Sequence, residues 1–111
     1  MSELAERTCK ACNQQTPRLS AAEEQALHRQ IPEWALADAR LRRRFRFRDF
    51  PASIRFVDRL AETAEAEGHH PLFAVDIDKV DVELWTHAIG GLSENDFILA
   101  AKLDRVARAI D

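Results

Sequence analysis

Arg40-Leu41-Arg42-Arg43-Arg44-Phe45-Arg46-Phe47-Arg48 is the stretch that decides the fold. Every even position from 40 to 48 is Arg, and the odd positions are Leu41, Arg43, Phe45 and Phe47. Successive side chains of a strand point to opposite faces, so the two Phe rings lie on one face and the row of guanidinium groups on the other. The alternation predicts a half-buried antiparallel strand. Just upstream, Trp34-Ala35-Leu36 reads as a shorter strand. A turn near Asp38-Ala39 then makes 34–47 a hairpin.

Reading outward toward the C-terminus, Asp49 is placed to cap a helix and Pro51 suits its first turn. Ile54, Val57, Leu60 and Ala64 follow at helical spacing, with Phe50 and Phe56 flanking that stripe. Gly68 is placed to end the helix in a left-handed conformation. A third strand is predicted over 72–77, with a turn at Asp78-Lys79. A fourth alternates Val80, Val82, Leu84 and Thr86 with Asp81, Glu83 and Trp85. Gly90-Gly91 is a loop. Ser93-Glu94-Asn95-Asp96 has capping-box spacing and opens a last helix carrying Phe97, Ala100, Leu103, Ala107 and Ile110. Toward the N-terminus, Ser20-Ala21-Ala22-Glu23 is a second capping box, and its helix ends near Gln30, before Pro32. Leu27 and Ile31 give that helix one apolar edge.

The expected order is α-β-β-α-β-β-α. The fold class is α+β: a four-stranded antiparallel sheet with three helices packed on one face. The expected organisation is a flexible N-terminal lead-in over 1–18, partly docked, and a single domain over 19–111. With 111 residues there is room for one core. An apolar share of 46% beside 32% charged residues excludes a disordered chain. A chain this short leaves apolar surface uncovered, which favours self-association. No stretch reaches the roughly 18 apolar residues that span a bilayer. The first residues carry no basic and apolar leader pattern, so no signal peptide is expected and the cytoplasm is the expected location. A net charge of -3 weighs against nucleic acid as the main partner. Cys9 and Cys12 form a C-x-x-C, which alone cannot complete a tetrahedral zinc site. A metal-free tail is the expectation, with a metal shared between subunits or a redox-sensitive thiol pair as alternatives.

The segment richest in chemistry is Glu65-Ala66-Glu67-Gly68-His69-His70-Pro71. Two adjacent histidines follow a helix end, and a third, His87, closes the fourth strand. Because the last two strands form a hairpin, all three imidazoles return to one end of the sheet. Histidine transfers protons in both directions near neutral pH, and Glu65 could orient one ring. The same residues also fit surface histidines or a His₃ zinc site, and spacing does not separate these readings.

Glu65-x-x-x-His69-His70-Pro71, His87 seventeen residues after His70, and Asp96 nine residues later together resemble the signature of the pterin-4a-carbinolamine dehydratases. Phe45-Arg46-Phe47-Arg48-Asp49-Phe50 is similar to that family's aromatic strand leading into its second helix. Lys79-Val80-Asp81-Val82-Glu83-Leu84-Trp85-Thr86-His87 with Gly91-Leu92-Ser93 resembles its last strand and loop, and 95–102 its last helix. Bacterial members also carry an N-terminal C-x-x-C. The resemblance covers 31–107. One position departs from it: the family pattern has an aromatic residue six after the Pro, where this chain has Ile77, with Phe73 nearby as a substitute ring.

The resemblance implies dehydration of a 4a-hydroxytetrahydropterin to quinonoid dihydropterin in tetrahydrobiopterin recycling, with no metal and no cofactor. It implies His69 and His87 as the acid/base pair, His70 as the group that orients the pterin, and Glu65 as carboxylate partner of the cluster. Phe73 and Asp96 are expected beside His70 in substrate binding, Asp96 doubling as a helix cap. It also implies a homodimer or homotetramer built partly by sheet extension, with an aromatic amino acid hydroxylase as a candidate partner. The rival reading is a non-catalytic, protein-binding member, of the kind that serves as a dimerization cofactor of a transcription factor or as a Rubisco assembly factor. The Arg row offers a third reading, nucleic-acid binding, against which stands pairing with Asp81 and Glu83.

Overall fold

The computed structural model describes residues 4–11 and 13–110; Cys12 lies outside them. Helix α1 spans Ala21–His28, strand β1 Ala35–Ala37, β2 Arg40–Arg46, helix α2 Phe50–Glu67, β3 Leu72–Asp76, β4 Lys79–Leu84 and helix α3 Glu94–Arg108. Single 3-10 turns occupy Leu4–Glu6 and His87–Ile89. The order α-β-β-α-β-β-α stands, and the four strands form one antiparallel sheet in the order β1-β2-β4-β3. Among the described residues no helix is long and apolar enough to cross a membrane.

The alternation of β2 sets the two layers. Leu41 and Phe45 are buried, together with Val80, Val82 and Leu84 of β4, while the even-numbered arginines line the other face. Against the buried face lie Phe56 and Leu60 of α2 and Phe97, Leu99 and Leu103 of α3. Phe45 is the hub of an aromatic cluster, 5.8 Å from Trp34 and 4.7 Å from Phe56 between ring centres. Each such side chain contributes about 1.5–3 kcal/mol by leaving water.

Several boundaries differ from the sequence reading. The buried stripe of α2 runs Ala52, Ser53, Phe56, Leu60 and Ala64. Phe56 is therefore central, whereas Ile54 and Phe50 remain 37% and 52% exposed, because only one i, i+3/i+4 row can face a flat sheet. The second hairpin turns at Ile77-Asp78, and Lys79 pairs with Asp76 inside the ladder. β4 stops at Leu84, with Thr86 bridging to Gly91. β1 begins after Trp34, and α1 ends two residues before Gln30. Asp38 and Ala39 both have positive φ, 57° and 58°, the geometry of a tight two-residue hairpin turn.

Candidate active site

Helix α2 ends where Gly68 takes φ 66°, ψ 28°, and the His69 amide then donates to the Ala64 carbonyl at 3.2 Å. That reversal delivers two consecutive histidines to different surroundings. His69 is buried, and its Nε2 lies 2.6 Å from Asp96 Oδ1. A carboxylate only accepts, so Nε2–H is the donor and the ring is fixed in one tautomer. The other Asp96 oxygen accepts from the Thr86 hydroxyl at 2.8 Å and from the Ser93 amide at 3.0 Å. The Thr86 and Ser93 hydroxyls are 2.7 Å apart. Asp96 is thus both the capping acid of α3 and the orienting partner of His69. Its carboxylate is fully buried.

His70 is exposed, with Nε2 3.0 Å from Glu65 Oε1. Glu65 therefore serves His70, and the carboxylate behind His69 is Asp96. His87 opens the 3-10 turn after β4 and is also exposed. Its ring centre is 4.2 Å from that of Trp85, over which the Arg40 guanidinium sits at 3.7 Å. β3 begins three residues after His69 and β4 ends three before His87. With Leu72 opposite Glu83, the hairpin brings His69, His70 and His87 to the same end of the sheet. Among the described residues no three His, Cys, Asp or Glu side chains come together in a group able to hold a metal ion, so the three imidazoles do not form a His₃ set within the chain.

Phe73 lies opposite Val82 near the His end of β3 and is 39% exposed. Ile77 sits at the hairpin turn, five residues from Leu72, about 17 Å along the strand. It does not replace a ring beside the histidines of its own chain. The sequence pattern assigns Thr86 no side-chain role. The bridge that bends the chain back at Gly91, not any sequence pattern, places the Thr86 hydroxyl on Asp96.

On the outer face Arg40, Arg42 and Arg44 are paired with carboxylates. Arg40 and Arg42 reach Glu83 at 3.1 and 2.9 Å, and Arg44 reaches Asp81 at 2.7 Å. The hydrogen bond from Arg44 holds the Asp81 carboxyl below the usual carboxylate range. Behind the sheet Asp104 accepts from Trp34 Nε1 at 2.8 Å and from Arg43 at 2.7 Å. Burial pushes the Asp104 carboxyl up, with Trp34 and Arg43 working against it.

The sequence profile of the pterin 4 alpha carbinolamine dehydratase family matches residues 17–106. The chain is 48% identical over 111 residues to a Gloeobacter violaceus protein named "Putative pterin-4-alpha-carbinolamine dehydratase 1", covering 96% of each. A Marinobacter nauticus protein of the same kind of name is 41% identical, over 96% of this chain and 99% of its own. In three dimensions the chain is similar to a Brucella melitensis crystal structure described as a "transcriptional coactivator/pterin dehydratase". The TM-score is 0.78 at 32% identity, over 82% of this chain and 99% of that one. The chain belongs to the pterin-4a-carbinolamine dehydratase family.

Proposed function

We propose that this chain dehydrates 4a-hydroxytetrahydropterin. The observation that carries the reading is the buried His69–Asp96 pair at the sheet end shared with His70 and His87. In the reaction the C4a–O bond breaks as the hydroxyl takes up a proton and leaves as water. N5 gives up its proton, and the N–H electron pair becomes the C4a=N5 double bond. One acid and one base suffice, and no redox step is involved. His69, held in one tautomer by Asp96, and His87, at the surface over Trp85, are assigned these two roles. His70, braced by Glu65, orients the pterin, with Phe73 offering an apolar ring nearby.

The test is turnover of freshly generated 4a-carbinolamine, followed by ultraviolet absorbance with and without a chelator. Rapid, chelator-insensitive dehydration is expected. A rate no faster than spontaneous water loss would move the protein-binding reading to first place. That second reading draws on the exposed apolar residues Phe50, Ile54, Phe73 and Val75 and on the coactivator half of the Brucella melitensis description.

A further inference from the structure

Residues 4–10 precede the part of the chain matched by the family profile, yet they are bound tightly to the two elements that hold the His69–Asp96 pair. Leu4 is fully buried and anchors the segment in the core. Lys102 of α3 donates to the Ala5 carbonyl at 3.1 Å and pairs with Glu67 Oε2 at 3.4 Å. The other Glu67 oxygen accepts the Cys9 amide at 2.8 Å. Arg7 pairs with Glu94. Asn95 and Lys10 form a reciprocal clamp: the Lys10 amide donates to Asn95 Oδ1 at 3.0 Å, and Asn95 Nδ2 donates to the Lys10 carbonyl at 2.6 Å.

The positions of these anchors are informative. Glu67 lies two residues before His69, at the last turn of α2. Asn95 lies one residue before Asp96, in the first turn of α3. Residues 9 and 10 therefore tie together the two helix ends whose separation sets the 2.6 Å contact. Both ties use backbone amides, which have no rotamer freedom. Burial would push the Glu67 carboxyl up, but the Cys9 amide and Lys102 outweigh it and leave it below the ordinary range. Such a net balance fits an ionised carboxylate built into the joint.

We propose that residues 7–10 are a clasp that sets the spacing of α2 and α3 at the His69–Asp96 pair, and that Glu67 and Asn95 are positioning residues for His69. The proposal rests on the proton-transfer role assigned to His69 above. Neither residue touches the reacting atoms; each acts through the placement of the imidazole.

The experiment compares Glu67→Ala, Glu67→Gln and Asn95→Ala in the full chain by dehydration kinetics and by NMR of the His69 ring N–H. Glu67→Gln keeps an oxygen for the Cys9 amide. In Glu67→Ala and Asn95→Ala, kcat is expected to fall about ten- to hundredfold with KM unchanged, since small misplacements of a reacting group cost on that scale. The Nε2–H resonance of His69, sheltered against Asp96 in the parent, is expected to broaden or vanish in both and to return in Glu67→Gln. Folded variants that keep both kcat and the His69 resonance would overturn the clasp, as would a rise in KM alone. If the parent chain shows no turnover while the resonance still responds, the clasp stands and the dehydratase reading fails. Should Glu67→Ala not fold, Asn95→Ala, which removes the two side-chain bonds to the Lys10 backbone, carries the same comparison.

Discussion

His69 and His87 differ in burial and divide the two proton transfers between them under the proposed mechanism. Replacing either with Ala is expected to lower kcat by about 10²–10⁴-fold, the contribution of one general acid or base, while circular dichroism stays native. Asp96 is different, because three groups depend on its carboxylate. Asp96→Asn is expected to weaken the α3 cap by about 1 kcal/mol and to lower turnover through His69, visible as a lower Tm together with a lower kcat. Asp104 has no part in that chemistry. Asp104→Ala strands the buried Trp34 indole N–H and the partly buried Arg43 guanidinium, and urea denaturation is expected to show a loss of about 3 kcal/mol.

At the scale of elements, backbone conformation at single positions decides where strands and helices end. Ala39 occupies a positive-φ turn position where a side chain costs about 1–2 kcal/mol. Ala39→Gly is therefore expected to stabilise the β1–β2 hairpin by about 1 kcal/mol, read from the urea midpoint. Gly68→Ala is expected to do the reverse by about 1–2 kcal/mol. A Cβ at Gly68 would meet nothing within 4 Å, so strain in φ, not a clash, is the cause. Because Gly68 aims the following residue, the same variant is also expected to slow turnover.

For the whole molecule, one partly buried carboxylate, Glu67, and one buried carboxylate, Asp104, bend the pH dependence of stability in opposite directions. Glu67 titrates below its ordinary 4.5 in the folded chain, so its contribution is complete above about 4.5 and is lost as pH falls through the lowered value. Asp104 titrates above its ordinary 3.8 when folded, so it favours the folded chain at low pH and costs stability as pH rises through its raised value. Glu67→Gln is expected to remove part of the acid-side loss in urea unfolding below about pH 5 and to leave the Asp104 limb in place. The sheet also has an open side. All five residues of β3 are exposed, including Leu72 and Val75, and no strand among the described residues pairs with the outer edge. Such an edge invites a second copy. Light scattering at micromolar concentration is expected to show a dimer or tetramer, and Val75→Lys a shift toward monomer.

The sequence by itself determined the element order, because period-2 alternation at 40–47 and 79–84 and the two capping boxes are local patterns with local causes. It also carried the three histidines to one sheet end, since a hairpin of nearly equal arms returns the chain to where it started. Which carboxylate serves which imidazole was decided only by tertiary structure. Glu65, close in sequence, reaches the exposed His70, whereas Asp96, 27 residues from His69, reaches it because α2 and α3 pack side by side. The turn at Ile77, the choice of Phe56 over Ile54 for the core and the partners that residues 4–10 find on α2 and α3 were likewise invisible locally. Each depends on which surface lies opposite, and a one-dimensional pattern does not contain that surface.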